Sequence, residues 1–476
     1  MHAILLPKID KVLIYDATIW KISKIPLPPH KMPCRIADHT TGKLDGWCHS
    51  VLFDIETSKL KALKLQTDTW CSSGGLTVDG NLVSAGGNGG GANAVRYLST
   101  CPTCDWREYS TALADPRWYS TQVTLADGGF IVVGGRGAFS YDIPPEGQSN
   151  KQAIFLPLIQ NTHDQLRGID GQIFFTLENN LYPFVHLSPD GNLFIFSNNR
   201  SILLAPASNK VVREFPDLPG GSRNYPASGM SALLPIKLHS GNAKARLRNI
   251  SYLDCKTAEQ SKLQSRIPTR DLLMLNGAKT GTSAWNDAED PNFVPVLYRP
   301  NADEHERFKE LAATTTPRMY HSSAILLPDG KVLVAGSNTN DGYEFDVKYP
   351  TELKVEKFSP SYINPSLAQL RQHIIVESSD QLINYGKRLS VRVRSKEMRL
   401  NRDEVEVTMY APAFTTHGIS MNQRLIILNL IDVINNIWPR VHGIIAETPS
   451  SGAVAPPGYY LLYVVYKGVP SVAMWI

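Results

Sequence analysis

The sequence predicts an all-β protein in two parts, a kelch-type β-propeller followed by an immunoglobulin-like β-sandwich. Three observations predict it. Helical periodicity is nearly absent along the chain. A hairpin signature (apolar strand, Asp-Gly turn, β-rich strand, then glycines) recurs at intervals of about 50 residues. Near Phe358 that signature gives way to alternating segments separated by turns.

The hairpin is read first in "LTVDGNLVSAGGNGG", with its turn at Asp79-Gly80. It returns 48 positions later in "VTLADGGFIVVGGRG", at Asp127-Gly128. "VHLSPDGNLFIFSNNRS" carries Asp190-Gly191 and "ILLPDGKVLVAGSN" carries Asp329-Gly330. "DLLMLNGAKTG", from Asp271 to Gly281, keeps the strand and the glycine, and "KVLIYDATIW", from Lys11, reads as a fragment of the same unit. A four-stranded unit of this period is one propeller blade, which hides its two faces only by stacking on its neighbours around an axis. The longer gap from Asp190 to Asp271 is expected to hold a weak blade near Ser228–Pro235. An insertion around Leu238–Arg270 is expected to form a polar surface loop. "KFSPSYINP" is a Pro-rich junction, and after it "RLSVRVRS", "EVEVTMYAP", "RLIILNLI" and "GYYLLYVVY" read as sandwich strands. These readings divide the chain into a propeller over residues 1–360 and a sandwich over 361–476.

Composition narrows the function. In 476 residues, 48 Lys+Arg stand against 44 Asp+Glu, a formal net charge of +4. No basic run of the kind that tracks phosphates is present, so nucleic acid is not an expected partner. No apolar stretch reaches the length of a membrane span, and the opening "MHAILLPKIDKVLIYD" lacks the pattern of a signal peptide. Cys101-Pro-Thr-Cys104 has neither the second CxxC or His pair of a zinc site nor the βαβ setting of a redox motif; a small structural disulfide is expected. Spacing leaves open whether Cys34 and Cys48 pair. Cys255 has no assigned partner. Two sequons, Asn199-Arg200-Ser201 and Asn249-Ile250-Ser251, are compatible with secretion.

The residues with chemistry fall at comparable places in their repeats. Cys71, Tyr119 and the pair Tyr320-His321 each lie just before the turn of a hairpin, and equivalent positions of different blades converge on one mouth of a propeller. The sandwich adds His417, on a turn in "APAFTTHGISMNQR" that could reach that mouth. Two histidines and two tyrosines make an N,O ligand set, and a tetragonal set of this kind favours copper. Neighbours on a strand point to opposite faces, so adjacent Tyr320 and His321 share a target only if alternation is broken where the strand begins. Trp70 and Trp118, each preceding a site candidate, read as core packing ahead of substrate stacking. His163, His186 and His305 belong to no motif and read as surface or packing residues. The glycine run Gly86–Ala94 lacks the Lys-Ser/Thr of a phosphate loop and reads as an interblade loop.

Together "DTWCSSGG", "RWYSTQVTLADGGFIVVGG", "PRMYHSSAILLPDGKVLVAGSN", "APAFTTHGISMNQR" and "PPGYYLLYVV" resemble the copper radical oxidases, the group of galactose oxidase and glyoxal oxidase, with wording closest to the glyoxal-oxidase-like proteins of plants. The resemblance covers nearly the whole chain. It implies a seven-bladed kelch propeller and a sandwich supplying a ligand loop. It implies one copper ion held by Tyr119, Tyr320, His321 and His417, and a Cys71–Tyr119 thioether that carries a tyrosyl radical. Tyr320 would be the axial ligand and the base, with His321 and His417 equatorial. Arg223 and Tyr225, in "SRNYPASGM", would stand near the pore behind the ligands. The implied reaction converts small aldehydes of the glyoxal type to carboxylic acids and reduces O2 to H2O2. The implied protein is secreted, and a monomer is expected. The family's tryptophan beyond the double glycine is absent: Gly134-Gly135 leads into Arg136-Gly137-Ala138-Phe139, which argues against galactose as substrate. The chain also enters the family pattern inside the first blade. The rivals are a primary-alcohol oxidase and a non-catalytic kelch binding module with a relic metal site.

Overall fold

The computed structural model describes residues 1–33, 35–38, 42–101, 103–144, 149–150, 152–167, 173–227, 229–239, 251–252, 263–283 and 285–476. Among them, four small antiparallel sheets of four strands each open with Ser73–Leu76, Thr121–Thr124, Phe184–Leu187 and Leu263–Arg266. A fifth opens with His2–Leu6 and has six strands, four of its own and the pair Phe414–Thr416 and Ile419–Met421 added at its edge. A further sheet, beginning with Ser323–Leu326, has three strands. These first strands lie side by side, and Ser323–Leu326 meets His2–Leu6, so the last unit abuts the first as in a β-propeller.

The hairpin signature explains the repeated unit. Ser73–Leu76 pairs with Leu82–Ala85, and Thr121–Thr124 with Phe130–Val133, each across an Asp-Gly turn. Gly80, Gly128, Gly191 and Gly330 have φ of 79°, 91°, 86° and 82°. An Asp-Gly sequence supplies that left-handed residue without a Cβ clash. The inner strands are apolar because both their faces are covered. Leu82, Ile131, Val133, Leu326 and Val332 are fully buried between units.

The region after Pro226 departs from the sequence reading. Ser231–Ala232 does form a short strand, but it pairs with Ser251–Tyr252 in a two-stranded sheet. The chain then leaves the propeller. Ile236–Lys237 adds in parallel to Arg424–Ile427 of the sandwich, and Leu233, Ile236 and Leu238 join the sandwich core. Leu238, expected to begin a polar surface loop, is therefore buried, and Leu263–Arg266 at the other end of that loop is a strand paired with Leu272–Leu275. The apolar Leu-Pro-Ile-Lys-Leu run is what the solvent-loop expectation overlooked. Most of the intervening segment, with Asn249 and Cys255, lies outside the described residues.

The sandwich packs two sheets face to face. One runs His373–Ile374, Arg388–Arg394, Val441–Glu447, Asn429–Trp438. The other is built on Val405–Ala411, flanked by Arg424–Ile427 and Leu461–Tyr466. Alternation sends Leu389, Val391 and Val393 inward to meet Val407, Met409 and Val464. Cys101 and Cys104 form the expected disulfide. Cys48 keeps a buried free thiol that donates to the Ser50 carbonyl, and Cys34 lies outside the described residues.

Candidate metal centre

Cys71, Tyr119 and His321 each stand two residues ahead of an inner strand and share one backbone conformation, with φ of 55°, 66° and 64°. A non-glycine residue held there costs roughly 1–2 kcal/mol. The turn aims each side chain along the axis before strand alternation begins. It also accounts for the adjacent pair Tyr320-His321. Their rings stack at 3.7 Å between centroids with 29° between planes, instead of pointing to opposite faces.

His417 arrives from the sandwich. Phe414–Thr416 and Ile419–Met421 form a hairpin whose two turn residues, His417 and Gly418, have φ of 50° and 78°. Two positive values are the signature of a type I′ turn. This hairpin adds to the first blade through the Ala3–Thr415 pair and touches the inner strands beginning at Ser73, Thr121, Leu263 and Ser323. It therefore runs down the axis of the ring. Asn422 locks it there, donating to the Gly74 carbonyl at 3.0 Å and accepting from the Thr124 amide at 2.8 Å. Gly74 admits Phe414: a Cβ at that position would stand 2.6 Å from the ring.

The side chains meet in one buried cluster. Cys71 Sγ lies 3.3 Å from His417 Nε2, and the thiol also adjoins the Tyr119 side chain. The Tyr225 hydroxyl lies 3.4 Å from that of Tyr119 and 2.8 Å from that of Tyr320. The Tyr225 ring stacks on Tyr119 at 4.7 Å. The His417 ring lies 5.5 Å from His321 and 5.6 Å from Tyr320. Of the two residues expected behind the ligands, Tyr225 thus stands between both tyrosines, whereas Arg223 reaches the Gly221 and Pro219 carbonyls of its own loop.

Hydrogen bonds orient both imidazoles and, at His321, set the tautomer. His321 Nδ1 faces the Asn338 carbonyl at 2.8 Å, so it carries the proton and Nε2 keeps a free lone pair. His417 Nδ1 is held at 2.6 Å by Thr416 Oγ1, which leaves Nε2 on the Cys71 side. Burial pushes His321 down to about 4 and His417 well below the usual histidine range, so both rings are neutral. Burial pushes the phenols of Tyr119 and Tyr320 far up, and that of Tyr225 up to about 12. Three neutral phenols and two neutral imidazoles thus share one pocket. A divalent ion reverses that preference by drawing out phenolate. Among the described residues no cluster of three or more His, Cys, Asp and Glu side chains forms, so the donor set is tyrosine and imidazole, which suits copper.

Three contributors escaped sequence reading. Thr416 and Asn338 act on the histidines through hydrogen bonds that no motif announces. Tyr182 is fully buried, has φ of 47°, donates to the Ser72 carbonyl at 3.1 Å and sets its edge on Tyr119 at 5.5 Å. It had a legible signal. Cys71, Tyr119, Tyr182 and His321 each precede the Asp of their Asp-Gly turn by eight residues (79−71, 127−119, 190−182 and 329−321).

Comparison with known proteins gives the following. Residues 1–266 and 264–362 match the family model described as glyoxal oxidase N-terminus, and residues 371–476 match that of the galactose oxidase-like early set domain. The chain is 52% identical to the aldehyde oxidase GLOX1 of Arabidopsis thaliana over 516 residues, covering 100% of this chain and 82% of that one. It is 40% identical to the putative aldehyde oxidase Art an 7 of Artemisia annua, with 98% and 84% covered. It is 36% identical to the aldehyde oxidase GLOX of Vitis pseudoreticulata, with 91% and 86% covered. The solved structure of a fungal alcohol oxidase of the AA5 family, in complex with copper, superposes with a TM-score of 0.62 at 15% identity, covering 100% of this chain and 96% of that one; the likeness is one of fold.

Proposed function

This chain belongs to the glyoxal oxidase family, and from that premise we propose that it is a copper radical oxidase. Its reaction oxidises small aldehydes to carboxylic acids and reduces O2 to H2O2. The observation that carries the proposal is the convergence of Cys71, Tyr119, Tyr320, His321 and His417, from three blades and the sandwich, into one buried cluster. Tyr119, Tyr320, His321 and His417 would hold the metal, with Tyr119 joined to Cys71 by a thioether. Bound there, copper would supply one of the two one-electron acceptors that the oxidation needs, the tyrosyl radical being the other.

The protein's own groups divide the remaining work. An aldehyde enters as its hydrate, RCH(OH)2. Tyr320 takes the hydroxyl proton, and Tyr225, hydrogen-bonded to it at 2.8 Å, steadies the phenol oxygen as its charge changes. Tyr119 receives the hydrogen atom from carbon. Tyr182 and Trp118, whose rings lie 5.5 Å and 4.8 Å from Tyr119, keep water from it. The balance is RCH(OH)2 + O2 → RCOOH + H2O2. The same reading divides the chain into a seven-bladed propeller over residues 1–360, the Ser231–Ala232 sheet being a reduced blade, and a sandwich over 361–476. It also makes the protein secreted.

The test is copper-loaded protein, activated with a one-electron oxidant and assayed for O2-dependent peroxide on glyoxal, methylglyoxal and primary alcohols. Turnover on the aldehydes is expected; silence on the whole panel overturns the proposal, and preference for the alcohols moves it to a primary-alcohol oxidase. Intact mass gives a second readout, since the thioether removes about two mass units, a change that Cys71→Ala abolishes. The rival reading is a non-catalytic kelch module with a relic metal site. Copper titration separates the two, because a relic site takes up no stoichiometric copper.

A further inference from the structure

Four of the chain's eight tryptophans pack into one continuous group that ends on Tyr119. The Trp118 ring lies 4.8 Å from Tyr119 and 4.7 Å from Trp70. Trp70 meets Trp20 edge-on at 5.1 Å and Trp285 face to face at 5.8 Å, with 8° between planes. Trp20 and Trp285 touch each other at 5.0 Å. Trp20 is 39% exposed and forms the outer end. The contacts run from a buried phenol to solvent without a gap, through residues contributed by four separate segments of the chain.

We propose that this group is an electron relay, with Trp20 and Trp285 as a double entry port for a one-electron acceptor in solution. The proposal rests on the radical-oxidase reading of Tyr119. Tyrosine and tryptophan side chains are the readily oxidised rings of a protein, and electron transfer between rings in contact is fast because tunnelling distances are short. In the step, Tyr119 loses one electron and, where its phenol is protonated, one proton, which passes by way of the adjoining Cys71 thiol to the neutral His417 Nε2, 3.3 Å from the sulfur. The electron passes through Trp118 and Trp70 and leaves at Trp20 or Trp285. A high-potential metal complex outside is reduced by one unit. Two features make Trp118 a conduit and not a sink. Its indole N–H is buried without a hydrogen-bond partner, so an oxidised ring has no group to take its proton. The Arg136 guanidinium lies over the ring at 5.1 Å, which disfavours positive charge there. Ordinary core packing explains neither the exposed end nor the unbonded N–H, since buried indoles usually find an acceptor.

The experiment oxidises the protein and follows the radical itself, not turnover. In the first arm, metal-free protein is oxidised by a flash-generated ruthenium(III) complex too large to enter the site, and the radical is identified by electron paramagnetic resonance. Wild type is expected to yield a tyrosyl signal that Tyr119→Phe removes. In Trp70→Phe the signal stays on tryptophan, and tyrosyl formation slows by about tenfold or more. Trp20→Phe and Trp285→Phe, at the half-exposed end where folding is least at risk, each change the rate by about twofold or less because the other port remains, whereas the double variant slows as Trp70→Phe does. Equal rates in wild type, Trp70→Phe and the double variant overturn the relay. The second arm repeats the measurement on copper-loaded protein with hexachloroiridate(IV). A relay working in the first arm with no copper uptake in the second leaves the relay standing and removes the oxidase reading. Copper uptake with unchanged activation rates in the variants does the reverse.

Discussion

Replacing Thr416 with valine tests how the site is built. Thr416 is fully buried at the edge of the axial hairpin, and its Oγ1 lies 2.6 Å from His417 Nδ1. That contact holds Nδ1 and so orients the ring with Nε2 on the side of Cys71. Valine keeps the shape and the β-branch and removes only the hydroxyl. The imidazole then either leaves a buried polar nitrogen unpaired, at about 1–3 kcal/mol, or turns to satisfy it and misdirects Nε2. Loss of such an outer hydrogen bond weakens metal binding by about 10–100-fold, which is about 1.4–2.7 kcal/mol. The assay is a competitive copper titration against a chelator of known affinity, with circular dichroism to show that the sheets persist. Thr416→Ser, which keeps a hydroxyl, should bind copper nearly as wild type does. A dissociation constant for Thr416→Val within about twofold of wild type would refute the argument that this bond orients His417.

The other predictions concern groups around the cluster. Tyr225→Phe removes the hydroxyl shared with Tyr320 and Tyr119 and should lower kcat by about tenfold or more with KM little changed, read by steady-state kinetics. Gly74→Ala drives a Cβ into the Phe414 ring and should cost about 1–3 kcal/mol in urea unfolding while weakening copper binding, because the His417 hairpin is displaced. Asp142→Ala removes the buried carboxylate that meets Arg117 at 2.6 Å, both side chains being fully buried, and leaves the guanidinium only the more exposed Asp115 at 3.9 Å as a charged partner. The expected loss is about 3–5 kcal/mol, and Asp142→Asn should cost less because it keeps an acceptor. In metal-free protein, burial holds His321 down at about 4 against 6.5 for the free side chain. The unfolded chain therefore takes up the proton first, so this group's contribution is full above about pH 6.5 and declines as pH falls towards 4, by about 3 kcal/mol, with His417 adding loss in the same direction. The urea midpoint measured from pH 7 to pH 4 should fall accordingly, and a flat profile would contradict it.

Much of the architecture was written in local sequence. Asp-Gly turns with a left-handed glycine are a short-range signal, so the hairpins at Asp79, Asp127, Asp190 and Asp329 were readable one at a time, and the sandwich strands followed from alternation. Cys71, Tyr119, Tyr320, His321 and His417 were named because each sits beside such a signal. Tyr182 obeyed the same eight-residue offset and was passed over because its segment, "NNLYPFV", resembles the others only in spacing. The departure of Ile236–Lys237 into the sandwich sheet is marked locally only by the apolar run at 234–238, which does not name its partner, since a two-residue strand is defined by the partner it finds.

By itself the sequence determined the repeat, the change of domain and the types of residue available to a metal. Only the tertiary structure decided which of them meet. Left-handed backbone at Cys71, Tyr119 and His321 turns three side chains towards one axis, and a hairpin more than 300 positions from Cys71 enters that axis to deliver His417. Ring closure brings first and last units together regardless of their separation along the chain. The selection of Thr416, Asn338 and the four tryptophans was fixed there as well. Hydrogen-bond partners and ring contacts depend on distances of a few ångströms between segments, and no pattern within a segment encodes those distances.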